Sequence, residues 1–223
     1  MKKNIFVALD FSNFDKALDV ANQVKNDAAG LKITNELFAI CGKEGISKLA
    51  NIGLEIFLDV KAHDVPNTVK KTIEGLSSLP IKILTVHTSG GKDMMSAAME
   101  AISGTDIKVF GVTVLTSLND DDTAAIFKRT PSEQVEAMLD EAESAGIDGV
   151  VCSPHELKQV KKRESLLSIT PGIRLNSKKD DQKRVLTPYE AYKNGADWLV
   201  IGRDITKGNI KKNIQKLINH LEK

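Results

Sequence analysis

Short apolar runs rich in β-branched residues recur along the whole chain, each followed by a longer stretch of helical period, and this alternation is its strongest constraint. Strands are expected near Ile5 to Leu9, Gly30 to Ile33, Glu55 to Val60, Ile81 to Val86, Lys108 to Leu115, Gly149 to Cys152, Leu167 to Thr170 and Trp198 to Ile201. Helices are expected at Phe14 to Val24, Glu36 to Ala50, Asn67 to Leu76, Lys92 to Ile102, Ser132 to Ala145, Pro154 to Lys161, Pro188 to Asn194 and Ile205 to Leu221. Such βα units bury both faces of a parallel sheet. Eight of them predict an α/β fold, a (β/α)8 TIM barrel, with an open doubly wound sheet as the alternative. No linker or low-complexity segment breaks the pattern, so the 223 residues are expected to form a single domain, 1–223.

Composition narrows the function classes. The 31 basic and 30 acidic residues leave a net charge of +1, so charge makes no case for a nucleic-acid partner. Cys41 and Cys152 are far apart, without a C-x-x-C or a His-rich segment, which suggests free thiols rather than a disulfide framework or zinc site. After Met1-Lys2-Lys3 the apolar run covers only Ile5 to Leu9, shorter than the roughly 7–15 residues of a secretory core. No run approaches the roughly 18 apolar residues of a membrane span. A cytoplasmic protein without a membrane partner is expected.

The chemistry concentrates in Asp59-Val60-Lys61-Ala62-His63-Asp64, at the end of the apolar run Ile56-Phe57-Leu58. Strand residues two apart share a face, so Asp59 and Lys61 should point into a common cavity, while Asp64 lies beyond, before Pro66 can open a helix. Carboxylates around an amine favour its ammonium form, which suits a proton donor. The same string also suits an ion pair closing a strand. In a barrel, side chains from different strand ends converge on one mouth. Asp10, Lys32, His87, Thr116, Ser153, Arg174 and Arg203 all fall at or just after such ends, together with Asp59, Lys61 and Asp64. Any one of them could cap a helix or solvate a loop. As a ring, they suit an anionic small-molecule substrate that needs internal proton transfer.

Thr170-Pro171-Gly172-Ile173-Arg174 follows the seventh expected strand, and Ile201-Gly202-Arg203 follows the eighth. Barrels commonly bind phosphate between these two loops, where glycine admits the backbone and arginine supplies a charged fork. There is no G-x-G-x-x-G or Walker sequence to suggest a dinucleotide or P-loop site.

From Val7-Ala8-Leu9-Asp10 to Gly202-Arg203, the ordered motifs resemble those of the orotidine 5′-phosphate decarboxylase family. They are Phe57-Leu58-Asp59-Val60-Lys61-Ala62-His63-Asp64-Val65-Pro66-Asn67-Thr68, Thr85-Val86-His87, Leu115-Thr116-Ser117, Thr170 to Arg174 and Asp181-Gln182-Lys183-Arg184. The resemblance implies a decarboxylase of orotidine 5′-monophosphate that uses neither cofactor nor metal and works as a homodimer with shared active sites. It implies Lys61 as proton donor to C6, Asp59 beside the departing carboxylate, Asp64 reaching the neighbouring subunit's site, and Lys32 in the charged network. It further implies Asp10 at the ribose, Thr116 at the pyrimidine, Val65 and Thr68 in the binding set, and Arg174, Gln182, Gly202 and Arg203 at the phosphate and its closing loop. Chemically, loss of CO2 from C6 leaves a carbanion that no carbonyl delocalises, so fixed positive charge must stabilise it.

Three positions depart from the family pattern. Ala62 stands where a bulky residue is usual, Leu175 to Asp180 carries Lys178-Lys179 in place of glycines, and Asp204 replaces a frequent proline. An acid beside a phosphate is unfavourable unless its carboxylate turns away to cap the final helix. Magnesium-dependent decarboxylases or aldolases of the same wider group share D-x-K-x-x-D but use a strand 2 carboxylate for the metal, where this chain has Lys32. A catalytically silent nucleotide-binding barrel is the other rival. His63 is expected to bond locally and His87 to shape the pocket.

Overall fold

The structure is a computed structural model that describes residues 4–175 and 186–221. Its elements in chain order are β1 (Ile5–Leu9), α1 (Phe14–Val24), β2 (Gly30–Thr34), α2 (Asn35–Ala50), β3 (Glu55–Ala62), α3 (Pro66–Ser77), β4 (Ile83–His87), α4 (Gly91–Ala101) and β5 (Lys108–Val112). There follow α5 (Asp120–Phe127), α6 (Pro131–Ala145), β6 (Gly149–Val151), α7 (Leu157–Val160), β7 (Leu167–Thr170), α8 (Pro188–Lys193), β8 (Trp198–Ile201), α9 (Arg203–Thr206) and α10 (Ile210–Leu221).

The strands pair in sequence order, all parallel, and β8 returns to β1 through Ile5↔Leu199, Phe6↔Val200 and Val7↔Ile201. That closing pair decides for the barrel against the open sheet. Strand side chains alternate between two cores. Phe6, Ala8, Phe57, Ile83, Phe110, Ile169 and Val200 fill the barrel interior, with Phe6 edge-on to Phe57 at a centroid distance of 5.5 Å. Their neighbours Ile5, Val7, Leu9, Ile56, Leu58 and Leu84 face outward and pack in the larger core shared with the helices. Each of these large side chains, fully buried, contributes about 1.5–3 kcal/mol.

Some expected boundaries shift for physical reasons. β5 stops at Val112, well before Leu115, although Thr113 still donates its amide to the Val151 carbonyl at 3.1 Å; the chain then turns outward. That excursion carries α5, which was not anticipated from its acidic, polar start. A reciprocal capping box between Asn119 and Asp122 opens it. The segment expected as one helix from Pro154 is a 3-10 turn, Pro154–Glu156, followed by the single turn of α7. The expected last helix divides into α9 and α10 around Gly208, whose φ is 77°. β3 runs further than expected, through Lys61 and Ala62, and that extension forms part of the site below.

Gly149 has a packing reason. A Cβ there would run into the Leu167 carbonyl oxygen and the Phe110 ring. Gly149→Ala should therefore lower the unfolding free energy in urea by about 1–3 kcal/mol, the usual cost of overpacking. Parental stability in that variant would show that the strand yields freely at this point.

Candidate active site

The inward parity that fills the barrel core also sets its mouth. Ala8 leads to Asp10 and Phe57 to Asp59, while Lys32 stands two residues beyond Gly30 on β2. The four charged groups Asp10, Lys32, Asp59 and Lys61 form an alternating string. Lys32 Nζ lies 3.4 Å from Asp10 Oδ1 and 3.5 Å from Asp59 Oδ2, and Lys61 Nζ donates to Asp59 Oδ2 at 2.7 Å. Asp59 is 7% exposed. Burial pushes its carboxyl pKa up, but the Lys32 and Lys61 charges and the hydrogen bonds from Lys61 and Thr85 outweigh that and hold it below the usual carboxylate range.

The strand geometry here is irregular. Leu58 pairs with Leu84, but the next pair is Ala62 with Val86, and Lys61 has a φ of 49°. This bulge, rather than a plain two-residue strand repeat, brings Lys61 over Asp59.

These groups line a cavity of about 230 Å³. Val112, Val114, Leu115, Thr116 and Ser153 add a lining of mixed polarity, and Gly172, Arg174, Gly202 and Arg203, from the segments after β7 and β8, line it as well. Arg174 is held low in the loop after β7. Its amide donates to the Leu186 carbonyl at 3.0 Å, beside the parallel bridge Ile173↔Leu186, and its Nη1 donates to the Ile173 carbonyl at 3.0 Å. A Cβ at Gly202 would lie 3.5 Å from the Asp10 carboxylate, an ordinary contact distance, which places Gly202 beside the charged string.

Of the residues expected at the site, Asp10, Lys32, Asp59, Lys61, Thr116, Ser153, Arg174, Gly202 and Arg203 line the cavity. Asp64, Val65 and Thr68 do not: all three are exposed, and Asp64 Oδ1 accepts from the Val65 amide at 2.7 Å. His87, expected to shape the pocket, is not among the lining residues either. Gln182, with Lys178-Lys179, lies outside the described residues. The Asp204 carboxylate accepts from the Leu175 amide at 2.6 Å, tying the segment after β8 to the residues just after β7. Two residues near the chemistry were not anticipated. Thr85 lies under Asp59, a position that the inward parity of Ile83 could have revealed, and Cys152 lines the wall. Burial, reinforced by Glu156, pushes the Cys152 thiol up, which keeps it protonated and unreactive.

Among the described residues no cluster of three or more His, Cys, Asp or Glu could hold a metal ion. The acids at the mouth are interleaved with ammonium groups instead, and the β2 position that would carry a metal-binding carboxylate is Lys32.

The family model described as "Orotidine 5'-phosphate decarboxylase / HUMPS family" matches residues 3–216. The chain belongs to this family. It is 42% identical over 212 residues to the orotidine 5′-phosphate decarboxylase of Sphingopyxis alaskensis, covering 94% of each chain. It is 43% identical over 206 residues to that of Ehrlichia chaffeensis, covering 91% of this chain and 89% of the relative. The crystal structure of the Lactobacillus acidophilus orotidine 5′-phosphate decarboxylase superposes with a TM-score of 0.84 at 33% identity over 100% of both chains. Family membership accounts for the spacing of the charged string, and the barrel accounts for its convergence.

His63 and His87 stack beside the string with a centroid distance of 5.4 Å, and His87 Nδ1 meets Ser89 Oγ at 2.8 Å. Burial, with the nearby charges of His63 and Lys61, lowers the His87 pKa from its ordinary 6.5. Below pH 6.5 the unfolded chain therefore binds a proton at this position more readily than the folded one, and folding stability is lost as pH falls through the folded-state value. The stability difference between the parent and His87→Gln, measured by urea unfolding, should accordingly shift against the parent on acidification through this window. A difference that stays constant with pH would assign the window to other groups.

Proposed function

We propose that this chain decarboxylates orotidine 5′-monophosphate to UMP, the last step of de novo pyrimidine nucleotide synthesis, by direct protonation of C6 from Lys61. The observation that carries this reading is the string Asp10–Lys32–Asp59–Lys61 in a cavity that Arg174 and Arg203 also line. The bond from C6 to the carboxylate breaks heterolytically, CO2 departs, and the electron pair remains on C6. The Lys61 ammonium stabilises that charge as it forms and then transfers a proton from Nζ to C6; solvent restores the amine's proton. Asp59 lies beside the leaving carboxylate, and Lys32 holds Asp59 in register. Such charge is effective because it is already oriented before the reaction begins. No cofactor or metal enters the proposed step.

Asp10 contacts the ribose and Thr116 the pyrimidine, while Arg174, Gln182, Gly202 and Arg203 serve the phosphate. Gripping a phosphate far from C6 supplies binding energy that can be spent on closure and desolvation around the base. Asp64, with Val65 and Thr68, is proposed to complete the neighbouring subunit's site in a cytoplasmic homodimer. Two features of this chain support that assignment. The three residues lie outside their own chain's cavity, and the Val65 side chain is apolar yet Val65 is 63% exposed. No helix among the described residues is long and apolar enough to cross a membrane.

The direct test follows the loss of orotidylate absorbance with purified protein, with and without chelator. Chelator-insensitive turnover is expected; dependence on added divalent metal, or no turnover at all, would overturn the proposal. Lys61→Ala should abolish turnover while leaving UMP binding largely intact. Activity within about tenfold of the parent, a barrier change of only ~1.4 kcal/mol, would remove Lys61 from the role of donor.

Sharing of the site has its own test. Inactive Lys61→Ala and Asp64→Ala chains, mixed and allowed to exchange, should regain activity, because each heterodimer then contains one site with both groups and one with neither. If exchange is verified and activity stays absent, Asp64 serves its own chain.

A further inference from the structure

The bulge that carries Lys61 has a single residue opposite it. Between the pairs Leu58↔Leu84 and Ala62↔Val86, β3 contributes Asp59, Val60 and Lys61, and β4 contributes only Thr85. The Thr85 hydroxyl donates to Asp59 Oδ1 at 2.9 Å and accepts from the Lys61 amide at 2.9 Å. A hydroxyl has one hydrogen and two lone pairs, so donation to the carboxylate and acceptance from the amide use it in two directions at once. Thr85 is 0% exposed, so bulk water does not compete for either bond.

The two bonds have different consequences. The first fixes the rotation of the Asp59 carboxylate, leaving Oδ2 for Lys61 and Lys32. The second satisfies the backbone of a non-glycine residue whose φ is 49°, a conformation that costs free energy unless the surroundings hold it. One side chain therefore sets both the direction of the acid and the path of the backbone that carries the amine.

We infer that Thr85 is a positioning residue for the proton transfer: its hydroxyl locks the β3 bulge so that Lys61 Nζ stays over Asp59 and is aimed at the reacting carbon. This rests on the decarboxylase reading above for the reaction itself, but the geometry it asserts belongs to the chain alone. Threonine also fills space, and valine keeps nearly the same volume without the hydroxyl. Serine keeps the hydroxyl without the methyl. The pair separates positioning from packing.

The experiment measures kcat and KM for orotidine 5′-monophosphate in the parent, Thr85→Val and Thr85→Ser, with crystal structures of each. Valine should lower kcat by about 10²-fold, the usual cost of an ångström of misplacement, with KM changed by less than about threefold, and serine should restore kcat to within about fivefold of the parent. Asp59 should rotate away from Lys61 in the valine structure and keep its orientation in the serine one. If valine fails to fold, Thr85→Ala gives the same hydroxyl-free comparison without bulk. A hydroxyl-free variant with parental kcat, a serine variant as slow as the hydroxyl-free one, or a loss confined to KM would overturn the inference. Should the parent itself lack decarboxylase activity, the functional proposal falls. The structures then decide the positioning claim alone, since an unmoved Asp59–Lys61 pair in the valine variant would refute it.

Discussion

The site depends on one buried carboxylate. Asp59 sits near the axis of the barrel mouth, where removing an anion from water costs several kcal/mol unless charges and hydrogen bonds replace the lost solvent. Two ammonium groups and a hydroxyl do so: Lys61 and Lys32 on Oδ2, and Thr85 on Oδ1. Each partner comes from a different stretch of backbone, β2, the β3 bulge and β4, so the carboxylate has its full set only when three adjacent strands are in register. Folding and site assembly are thus the same event. Removing a single partner would leave charge stranded in a region that water reaches poorly.

Barrel closure makes that register possible. The return of β8 to β1 leaves no free sheet edge, and the aromatic plug of Phe6, Phe57 and Phe110 fixes which side chains face inward. Once Phe6 and Phe57 point to the axis, Asp59 must follow on β3, and Asp10 comes just past the end of β1. The lysines answer to the same rule, except that Lys61 reaches its position through a positive φ and an extra-residue bulge. The bulge departs from regular strand geometry where the proposed chemistry needs an amine directly above an acid.

The part of the cavity lined by Arg174 and Arg203 lies after strand ends rather than on strands. Ile173 pairs with Leu186, and Asp204 joins the residues just after β7 to the segment after β8 through the Leu175 amide. The Asp204 carboxylate is thereby occupied with a backbone N–H. In contrast to this latch, the segment carrying Asp64 and Val65 is exposed and takes no part in lining the cavity.

The sequence by itself determined the eight-unit alternation, the parity of each strand and most of the site, because those properties are local. Apolar runs, helical period and the identity of residues at or just past strand ends can be read without knowing what lies across from them, and Asp10, Lys32, Asp59, Lys61, Arg174, Gly202 and Arg203, all of which line the cavity, were legible in that way. The tertiary structure alone decided closure over an open sheet, because only the β1–β8 pairing distinguishes them. It also decided the β3 bulge, the role of Thr85 and the partner of Asp204, because each depends on a contact between segments far apart in the chain. Residue type says that a threonine can donate and accept; only the register of β4 against β3 says to whom.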